Sequence, residues 1–351
     1  MPTMKALVTV EGKTAAVQTI DRPSPEAGEI LVKIHYVAQN PTDWKAMMGV
    51  PPGRIIGCDF AGEVEDPNGS HWSKGQRVAG FVQGTATNPI RGVFAEYAVI
   101  ESSLVYPIPE GTSFQEAATI PLAFATAVQA MFQRLALPEP TKPSKDALPI
   151  LINGATSSVG VYAVQLAKLA GLFVVATGSK RNHEFLLSLG ADAVVDYNDA
   201  DWPEQVKKLT NDKLGHVFDC ISENGTPQAS ARAISSTNGG HILTILPVKH
   251  INDSGEIEKI NKKIKLESTI VYTVFERELQ YGAFDNHGGL TPKDRAFWEK
   301  YLALLPDLLR AGKLKANRIR EMGTIDDILK GFQEQQEGRV RAEKLVYKIA
   351  S

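Results

Sequence analysis

The first third of the chain carries its apolar residues in short runs that Gly, Pro, Asn and Asp separate. Short runs rich in β-branched and aromatic residues, bounded by turn formers, predict strands. The runs of this kind are KALVTV, EILVKIHYVA, AGEVE, QRVAGFV and FAEYAVI. Residues 1 to 110 therefore predict a small barrel or a strongly curved sheet.

The pattern changes after Ser113. The segment FQEAATIPLAFATAVQAMFQRL predicts a helix, and the Pro-rich stretch LPEPTKPSKDALP predicts an extended surface linker. Strand-like runs then alternate with helical ones, beginning with PILIN, SVGVYAVQLAKLAG and LFVVATGS. Such alternation predicts βαβ units and a parallel sheet with helices on both faces. The run STIVYTVFE predicts a strand at the edge of that sheet. The tail predicts a long helix over RAFWEKYLALLPDLLRAGKLKA, a shorter helix and the closing strand KLVYKIA.

Length and composition narrow the class of protein. At 351 residues the chain is long enough for two domains, and 43% hydrophobic with 22% charged residues is typical of a soluble protein. The net charge of −2 offers no long-range attraction for nucleic acid or an anionic membrane. Two cysteines suit a reducing compartment, and the N-terminus lacks the apolar block of a signal peptide. We expect a cytoplasmic protein that binds neither nucleic acid nor membrane.

The stretch from Ile150 to Gly160 predicts a strand, a turn of small residues and then a helix. A dinucleotide pyrophosphate needs this arrangement, because it binds backbone amides at a helix N-terminus through a tight turn. Gly154 and Gly160 stand at its ends, but the usual spacing of three glycines is absent. The alternative is a helix start that merely packs closely on its strand. The position at the head of the βαβ units favours the dinucleotide site.

The second strand of these units ends at Ser179, Lys180, Arg181 and Asn182. A site selective for NAD normally has an Asp or Glu here, which binds the ribose 2′-hydroxyl. A hydroxyl and two cations suit a 2′-phosphate instead. The sequence therefore predicts NADPH as the cofactor.

A metal site is not predicted. The seven histidines are scattered without paired spacing, and Cys58-Asp59 is the one close pair of thiol and carboxylate. A catalytic zinc needs three protein ligands. We expect chemistry without a metal.

These segments together identify a resemblance. AQNPTDWK, GCDFAGEV, GVFAEYAVI, NGATSSVGVYAVQLA and LGADAVVDY resemble, in order and over the whole chain, the medium-chain dehydrogenase/reductase superfamily. Within it the chain resembles the zinc-free branch of quinone oxidoreductases and enoyl reductases. Zinc-dependent members carry Cys where Gln39-Asn40 stands and Gly-His-Glu where Gly57-Cys58-Asp59 stands. The resemblance implies an α/β fold: a GroES-like catalytic domain over residues 1–122 and 278–351, and a Rossmann domain with a doubly wound parallel sheet over residues 123–277.

A closer similarity is to fungal enoyl reductases that act in trans on polyketide synthases in secondary metabolism. Lys45 after Pro41-Thr42-Asp43-Trp44, the Pro-rich insert and the ending Ala342-Glu343-Lys344-Leu345 carry it. The resemblance implies residues that bind the cofactor: Asn40, Thr42, Asp43, Trp44, Lys45, Gly154, Thr156, Ser157, Ser158, Val159, Gly160, Ser179, Lys180, Arg181, Asn182, Tyr197, Ile245, Leu246, Val340 and Arg341. It also implies residues that line the acyl pocket: Thr126, Gln129, Ala130, Phe132, Tyr272, Thr273, Val274 and Phe275.

The expected reaction is zinc-independent transfer of hydride from NADPH to the β-carbon of an enoyl thioester or enone. Lys45 is the candidate catalytic residue, either polarising the carbonyl or holding the cofactor. Asp43 is expected to cap the helix WKAMMG, and Tyr197 either contacts the cofactor or is a partly buried structural residue.

Two other functions stay open, a quinone oxidoreductase and a non-catalytic accessory protein that binds NADPH. The substrate is expected to be a small molecule or carrier-bound, with a polyketide synthase as a possible partner. Charges directly after the edge strand, including Glu278, favour a monomer.

Overall fold

The strand-forming runs build two sheets that belong to different parts of the chain. The computed structural model describes residues 2–86, 88–251, 255–277 and 292–349. These residues divide into two compact units. The first unit contains the described residues up to Leu122 and from Val274 onward, and the second contains those from Ala123 to Thr273.

The strands of the described chain are numbered in order. They are β1 Thr3–Val10, β2 Thr14–Asp21, β3 Glu29–Ala38, β4 Asp59–Asp66, β5 Arg77–Phe81, β6 Tyr97–Glu101, β7 Val105–Pro107, β8 Pro149–Asn153, β9 Phe173–Thr177, β10 Ala193–Val195, β11 His216–Asp219, β12 Gly240–Thr244, β13 Ile264–Ser268, β14 Ile319–Thr324 and β15 Lys344–Lys348.

The α-helices are numbered in the same way. They are α1 Pro41–Met47, α2 Phe114–Ala118, α3 Pro121–Val128, α4 Ser158–Leu169, α5 His183–Ser188, α6 Trp202–Leu209, α7 Thr226–Ala233, α8 Glu256–Ile260, α9 Pro292–Arg310 and α10 Ile328–Gln336.

In the first unit β14, β15, β3, β4, β5 and β7 lie side by side in that order, and β6 pairs with β3. β15 runs antiparallel to β3, so the end of the chain returns to a strand from its beginning. Large apolar side chains such as Phe60, Phe94 and Phe332 fill the core beneath this sheet. The return of β15 brings residues near position 344 beside residues near position 40, because Gln39 N donates to Leu345 O at 2.9 Å.

In the second unit six strands lie in the order β10-β9-β8-β11-β12-β13, and every described pairing among them is parallel. This is the strand order of a doubly wound dinucleotide-binding sheet, which changes direction beside β8. Ligands of such sheets bind outside the carboxyl ends of the strands at that switch point. The α/β fold class with a GroES-like sheet and a parallel Rossmann sheet is thereby confirmed.

The predicted helix from Phe114 to Leu135 is wrong as a single element. The segment forms α2, α3 and a π-helical turn over Gln129–Arg134. Pro121 begins α3, because proline lacks the amide that would continue α2. The π turn shows in the bond from Leu135 N to Ala130 O at 2.9 Å, which spans five residues.

The strand predicted over STIVYTVFE is also wrong. The edge strand is β13, which ends at Ser268, and Val271–Phe275 form a 3-10 helix. Thr273 Oγ1 donates to Ile270 O at 2.9 Å and supports that turn. The charges of the edge are therefore Lys265 and Glu267 on β13 itself, and Glu278 lies outside the described residues.

The long C-terminal helix ends at Arg310, so the segment AGKLKA is not helical. The pattern also missed β2, β7 and β14, which are short or half-exposed. Across the described ranges, no helix combines the length and the apolar character that a membrane span requires.

Candidate functional site

The turn between β8 and α4 places a helix N-terminus at the switch point of the second sheet. Gly154 has φ +73°, a conformation that a residue with a side chain rarely adopts. A Cβ on Gly160 would lie 2.5 Å from Gly154 O, so only glycine lets the helix approach the turn this closely. Ser157 is the N-cap, and its Oγ accepts from Gly160 N at 3.1 Å. The predicted residues Thr156, Ser157, Ser158 and Val159 thus occupy the turn and the first helical positions.

This turn fits an anionic pyrophosphate. The first amides of an α-helix have no partner within it, and the helix dipole places partial positive charge there. The close approach at Gly160 keeps side chains out of the turn. Thr177 holds the arrangement, because its Oγ1 accepts from Gly154 N at 2.8 Å and donates to Asn153 Oδ1 at 2.7 Å. Sequence reasoning missed Thr177, whose only signal was a hydroxyl at the end of the second strand.

The end of β9 presents two cations. Lys180 and Arg181 are exposed, and the segment from Gly178 to Asn182 contains no carboxylate. Asn182 Nδ2 donates to Ser179 Oγ at 3.0 Å, which holds the segment in a short 3-10 turn. Positive side chains beside a hydroxyl are the groups that a 2′-phosphate would need.

Tyr197 lies on the neighbouring loop after β10. The preceding residue Asp196 accepts a hydrogen bond from Lys180 N at 3.0 Å, which joins this loop to the turn after β9. Tyr197 is 51% exposed. Its ring is half-exposed on the loop that Asp196 joins to the turn after β9.

A third loop follows β11, and a buried carboxylate organises it. Asp219 Oδ1 accepts from Ile221 N at 2.9 Å and from Ser222 N at 3.0 Å. Ser222 Oγ in turn accepts from Ile245 N at 2.9 Å and so joins the predicted residue Ile245 to this loop. Burial raises the pKa of Asp219, and the hydrogen bonds it accepts oppose that rise.

The chain after β12 forms a further turn at the end of a strand. Thr244 Oγ1 donates to Leu246 O at 2.8 Å and shapes the turn that carries Leu246. A cavity of about 430 Å³ borders the loop after β11 and is lined by 222–225, 227, 228, 250 and 251. Sequence reasoning missed Asp219 and Ser222, which sit at the strand end where the fold gathers ligand-binding loops.

The residues predicted to line an acyl pocket are divided between the two units. Thr126, Gln129, Ala130, Phe132, Tyr272 and Thr273 belong to the second unit and are buried. Gln129 Nε2 donates to Thr273 Oγ1 at 3.0 Å, and Gln129 Oε1 accepts from Thr269 Oγ1 at 2.5 Å. Val274 and Phe275 belong to the first unit, where Phe275 packs edge-on against Phe81 with ring centroids 5.3 Å apart.

In the first unit, α1 carries Thr42, Trp44 and Lys45, all half-buried. Lys45 Nζ lies 5.6 Å from the centroid of the Trp44 ring. The N-cap of α1 is Asn40, so the prediction that Asp43 caps this helix is wrong. Asp43 stands at the third helical position, where its Oδ2 accepts from Asn40 N at 2.7 Å. Burial raises the pKa of Asp43 to about 7.

Behind α1 lies a buried ion pair that sequence reasoning did not assign. Lys344 Nζ donates to Asp59 Oδ2 at 3.1 Å and to Asn40 Oδ1 at 2.5 Å. Asn40 Nδ2 donates to the same Asp59 oxygen at 2.8 Å. The only signal was the presence of Lys344 in the ending that carries the family resemblance. Val340 and Arg341 precede β15, and exposed Arg341 donates from Nε to Gly338 O at 3.1 Å.

These residues do not fit a zinc ion. Zinc-dependent members of the resembled family carry their ligands at Gln39-Asn40 and at Cys58-Asp59, but here the ammonium of Lys344 occupies acceptors on Asn40 and Asp59. Within the part of the chain that the structure describes, no three His, Cys, Asp or Glu side chains are grouped to hold a metal. A cation would meet a buried positive charge at this place.

Comparison with known proteins covers both units. The model of the alcohol dehydrogenase GroES-like domain matches residues 26–110, and that of the zinc-binding dehydrogenase matches residues 158–280. A trans-enoyl reductase of Alternaria alternata is 36% identical over 356 residues, which cover 99% of this chain and 100% of that protein. A trans-enoyl reductase of Cochliobolus carbonum is 40% identical over 281 residues, covering 78% of this chain and 91% of that protein.

A solved structure extends the comparison to the fold. The crystal structure of an alcohol dehydrogenase superfamily protein from Novosphingobium aromaticivorans superposes with a TM-score of 0.81 at 22% identity. It covers 99% of this chain and 100% of that one. At this identity the match concerns the fold, which the two chains share from end to end.

Proposed function

This chain belongs to the medium-chain dehydrogenase/reductase superfamily, and from that premise we propose that it reduces an activated carbon–carbon double bond with NADPH. Its family makes it an oxidoreductase with a nicotinamide cofactor. The observation that carries the proposal is the end-to-end similarity to fungal trans-enoyl reductases. We assign the pyrophosphate and the 2′-phosphate of the cofactor to the Rossmann unit, and the candidate catalytic residue Lys45 belongs to the GroES-like unit.

The preference for NADPH rests on the turn after β9. Ser179, Lys180 and Arg181 present one hydroxyl and two exposed cations where an NAD-selective site would place an acid. The carboxylate of Asp196 already accepts from the amides of Lys180 and Asn198. Charge-assisted hydrogen bonds to a phosphate are about twice as strong as neutral ones, which favours the phosphorylated cofactor.

When bound, NADPH supplies the hydride that adds to the β-carbon of the substrate. Negative charge then develops on the carbonyl oxygen, where a positioned cation stabilises it, and a proton taken up from solvent by the α-carbon completes the reduction. Lys45 is the residue of the first unit that we assign to this oxygen or, alternatively, to holding the ribose and carboxamide of the cofactor. No step is assigned to a metal, because Lys344 occupies the acceptors that a metal would need.

The substrate that we propose is an α,β-unsaturated acyl thioester, carried by a polyketide synthase on which this chain acts in trans. The names of the relatives from Alternaria alternata and Cochliobolus carbonum support this choice over a free quinone. We expect the protein to work as a cytoplasmic monomer, with Lys265 and Glu267 on β13 opposing pairing through the sheet edge.

The deciding experiment is an assay of NADPH oxidation with an unsaturated acyl thioester and with a simple quinone, each with and without a chelator. We expect the protein to turn over the thioester at a rate that the chelator leaves unchanged. Turnover of quinone alone would make the chain a quinone oxidoreductase. Tight binding of NADPH without turnover of either substrate would make it an accessory protein.

A further inference from the structure

The ion pair between Asp59 and Lys344 is among the most deeply buried pairs of charges in the described chain. Asp59 is 0% exposed and Lys344 is 3% exposed. Burying an ion pair costs free energy that a well-packed apolar pair of similar volume would not. Stability of the fold is therefore a poor explanation for keeping both charges at this place.

The pair joins four segments of the first unit. Asp59 begins β4 and Lys344 begins β15, while Asn40 precedes α1. Asp59 Oδ1 also accepts from Leu122 N at 2.7 Å, near the start of α3. Oδ1 thus holds the start of α3, while Oδ2 holds both Asn40 and the start of β15.

Asn40 is the point at which the pair acts on α1. Its amide lies between the two charges, with Oδ1 accepting from Lys344 and Nδ2 donating to Asp59. Its backbone N donates to Asp43 Oδ2, which closes the first turn of the helix. Asn40, the N-cap of α1, is therefore held by Asp59 and Lys344 through its side chain and by Asp43 through its backbone.

The charges around the pair favour an ammonium here. Asp43 lies 2% exposed, and its carboxyl group is hydrogen-bonded with the Cys58 thiol. When Asp43 is ionised, its negative charge repels that of Asp59, and a nearby cation offsets this repulsion. Lys344 supplies that cation from within the chain.

We propose that Lys344 is a positioning residue, whose buried ammonium joins Asp59 to Asn40 and thereby fixes the start of the helix that carries Lys45. The inference rests on the proposed function insofar as Lys45 acts on the substrate or cofactor. A fixed α1 keeps the side chain of Lys45 in place, and misplacing a catalytic group by about 1 Å can cost roughly a hundredfold in rate.

The test compares three variants of the full-length protein. Lys344→Met removes the ammonium and keeps the length of the side chain. Lys344→Met combined with Asp59→Asn removes both charges, so that no unpaired ion stays buried. Lys348→Met is the matched control, because Lys348 lies exposed on the same strand.

We expect Lys344→Met to lower kcat roughly a hundredfold, because α1 no longer holds Lys45 in place. The double variant should recover the Tm of the parent protein without recovering kcat, and Lys348→Met should change neither. Recovery of both Tm and kcat in the double variant would overturn the proposal, because the pair would then be only structural. So would full kcat in Lys344→Met.

Amide hydrogen exchange over residues 42–47 separates this inference from the proposed function. We expect faster exchange there in the double variant than in Lys348→Met, with unchanged exchange in β3. This result would support the positioning role even if the parent protein turned over no substrate. Equal exchange in the two variants would overturn it, whichever reaction the protein catalyses.

Discussion

Asp59 and Asp219 are buried carboxylates that organise candidate site loops in different units, and they are stabilised differently. Both are 0% exposed, and burial raises the pKa of each. Asp59 faces an ammonium, an amide side chain and one backbone N–H. Asp219 accepts two backbone N–H groups, and no ion pair to it is found in the described chain.

The difference follows from what each carboxylate must hold. Asp219 shapes the loop that immediately follows it, so local amides at the second and third positions along the chain reach it. Asp59 holds segments that are remote in sequence, because Lys344 is 285 residues away. A local turn can be closed by amides, whereas a junction of distant strands here uses a long cationic side chain.

The largest expected effect is on the ion pair. Asp59→Ala leaves the ammonium of Lys344 buried without its partner and should cost about 3–5 kcal/mol of unfolding free energy. Urea denaturation measures this loss. Asp66→Ala, at the exposed end of the same strand, is the control and should stay within about 0.5 kcal/mol. A small loss of unfolding free energy in Asp59→Ala would contradict the proposed difference between Asp59 and Asp219.

The second prediction concerns chemistry in the first unit. Lys45→Ala should lower kcat/KM by roughly a hundredfold, about 3 kcal/mol, because the developing charge loses one positioned donor. Steady-state kinetics with the thioester and NADPH measure it. The control is Lys33→Ala, a half-buried lysine of β3. Full kcat/KM together with full affinity for NADPH would exclude both roles of Lys45.

The third prediction concerns Asp219, the buried carboxylate of the second unit. Asp219→Ala leaves the amides of Ile221 and Ser222 without an acceptor and should cost about 1–3 kcal/mol, less than Asp59→Ala. Asp219→Asn keeps an oxygen for these amides and should cost less than the alanine variant. Urea denaturation ranks the three, and a loss at Asp219 equal to that at Asp59 would contradict the comparison.

The fourth prediction uses pH. The pKa of Asp43 rises from 3.8 to about 7 on folding, since burial disfavours its charge. The stability contributed by the bound proton is fully present below pH 3.8 and is lost as the pH rises to about 7. Relative to the parent, Asp43→Asn should therefore gain stability across that range, by at most about 1.4 kcal/mol per pH unit.

The control for this measurement is Asp196→Asn, whose effect on stability should depend on pH in the opposite direction. Hydrogen bonds from Asn198 lower the pKa of exposed Asp196. Its contribution is present above the unfolded pKa and is lost as the pH falls, so Asp196→Asn should lose stability toward neutral pH. Parallel pH profiles for the two variants would refute the assignment of a buried, protonated Asp43.

The smallest expected effect lies at the surface of the second unit. Removing both cations in Lys180→Ala with Arg181→Ala should weaken NADPH binding about tenfold and leave NADH binding unchanged. Isothermal titration with both cofactors measures it, with Lys208→Ala on α6 as the exposed control. Equal weakening for both cofactors would remove the support for NADPH selectivity.

Local patterns predicted most of the fold. The alternation of apolar runs indicated the parallel sheet, and the small residues from Gly154 to Gly160 indicated the turn before α4, because both signals lie within short stretches of chain. Propensity failed at Val271–Phe275, where β-branched residues form a 3-10 helix. There the bond from Thr273 to Ile270 and the contact of Thr273 with Gln129 decide the conformation.

The candidate site likewise contains residues that the local sequence predicted and residues that it could not predict. The cations after β9 could be read from the sequence, since they need only follow a strand end. The correct N-cap of α1 could not, because Asn40 and Asp43 are both acceptable caps by residue type. The choice falls to Asn40 because its side chain is bound by Asp59 and Lys344, residues of other strands.

The sequence by itself determined the family, the two-part α/β architecture and the turn suited to a dinucleotide, because each depends on periodicity or spacing within a short stretch. Only the tertiary structure decided which charges meet. Lys344 reaches Asn40 across 304 residues because β15 returns antiparallel to β3, and no local pattern records that pairing. Partners of a buried charge are chosen by how strands are ordered in the sheet, which is a property of the whole chain.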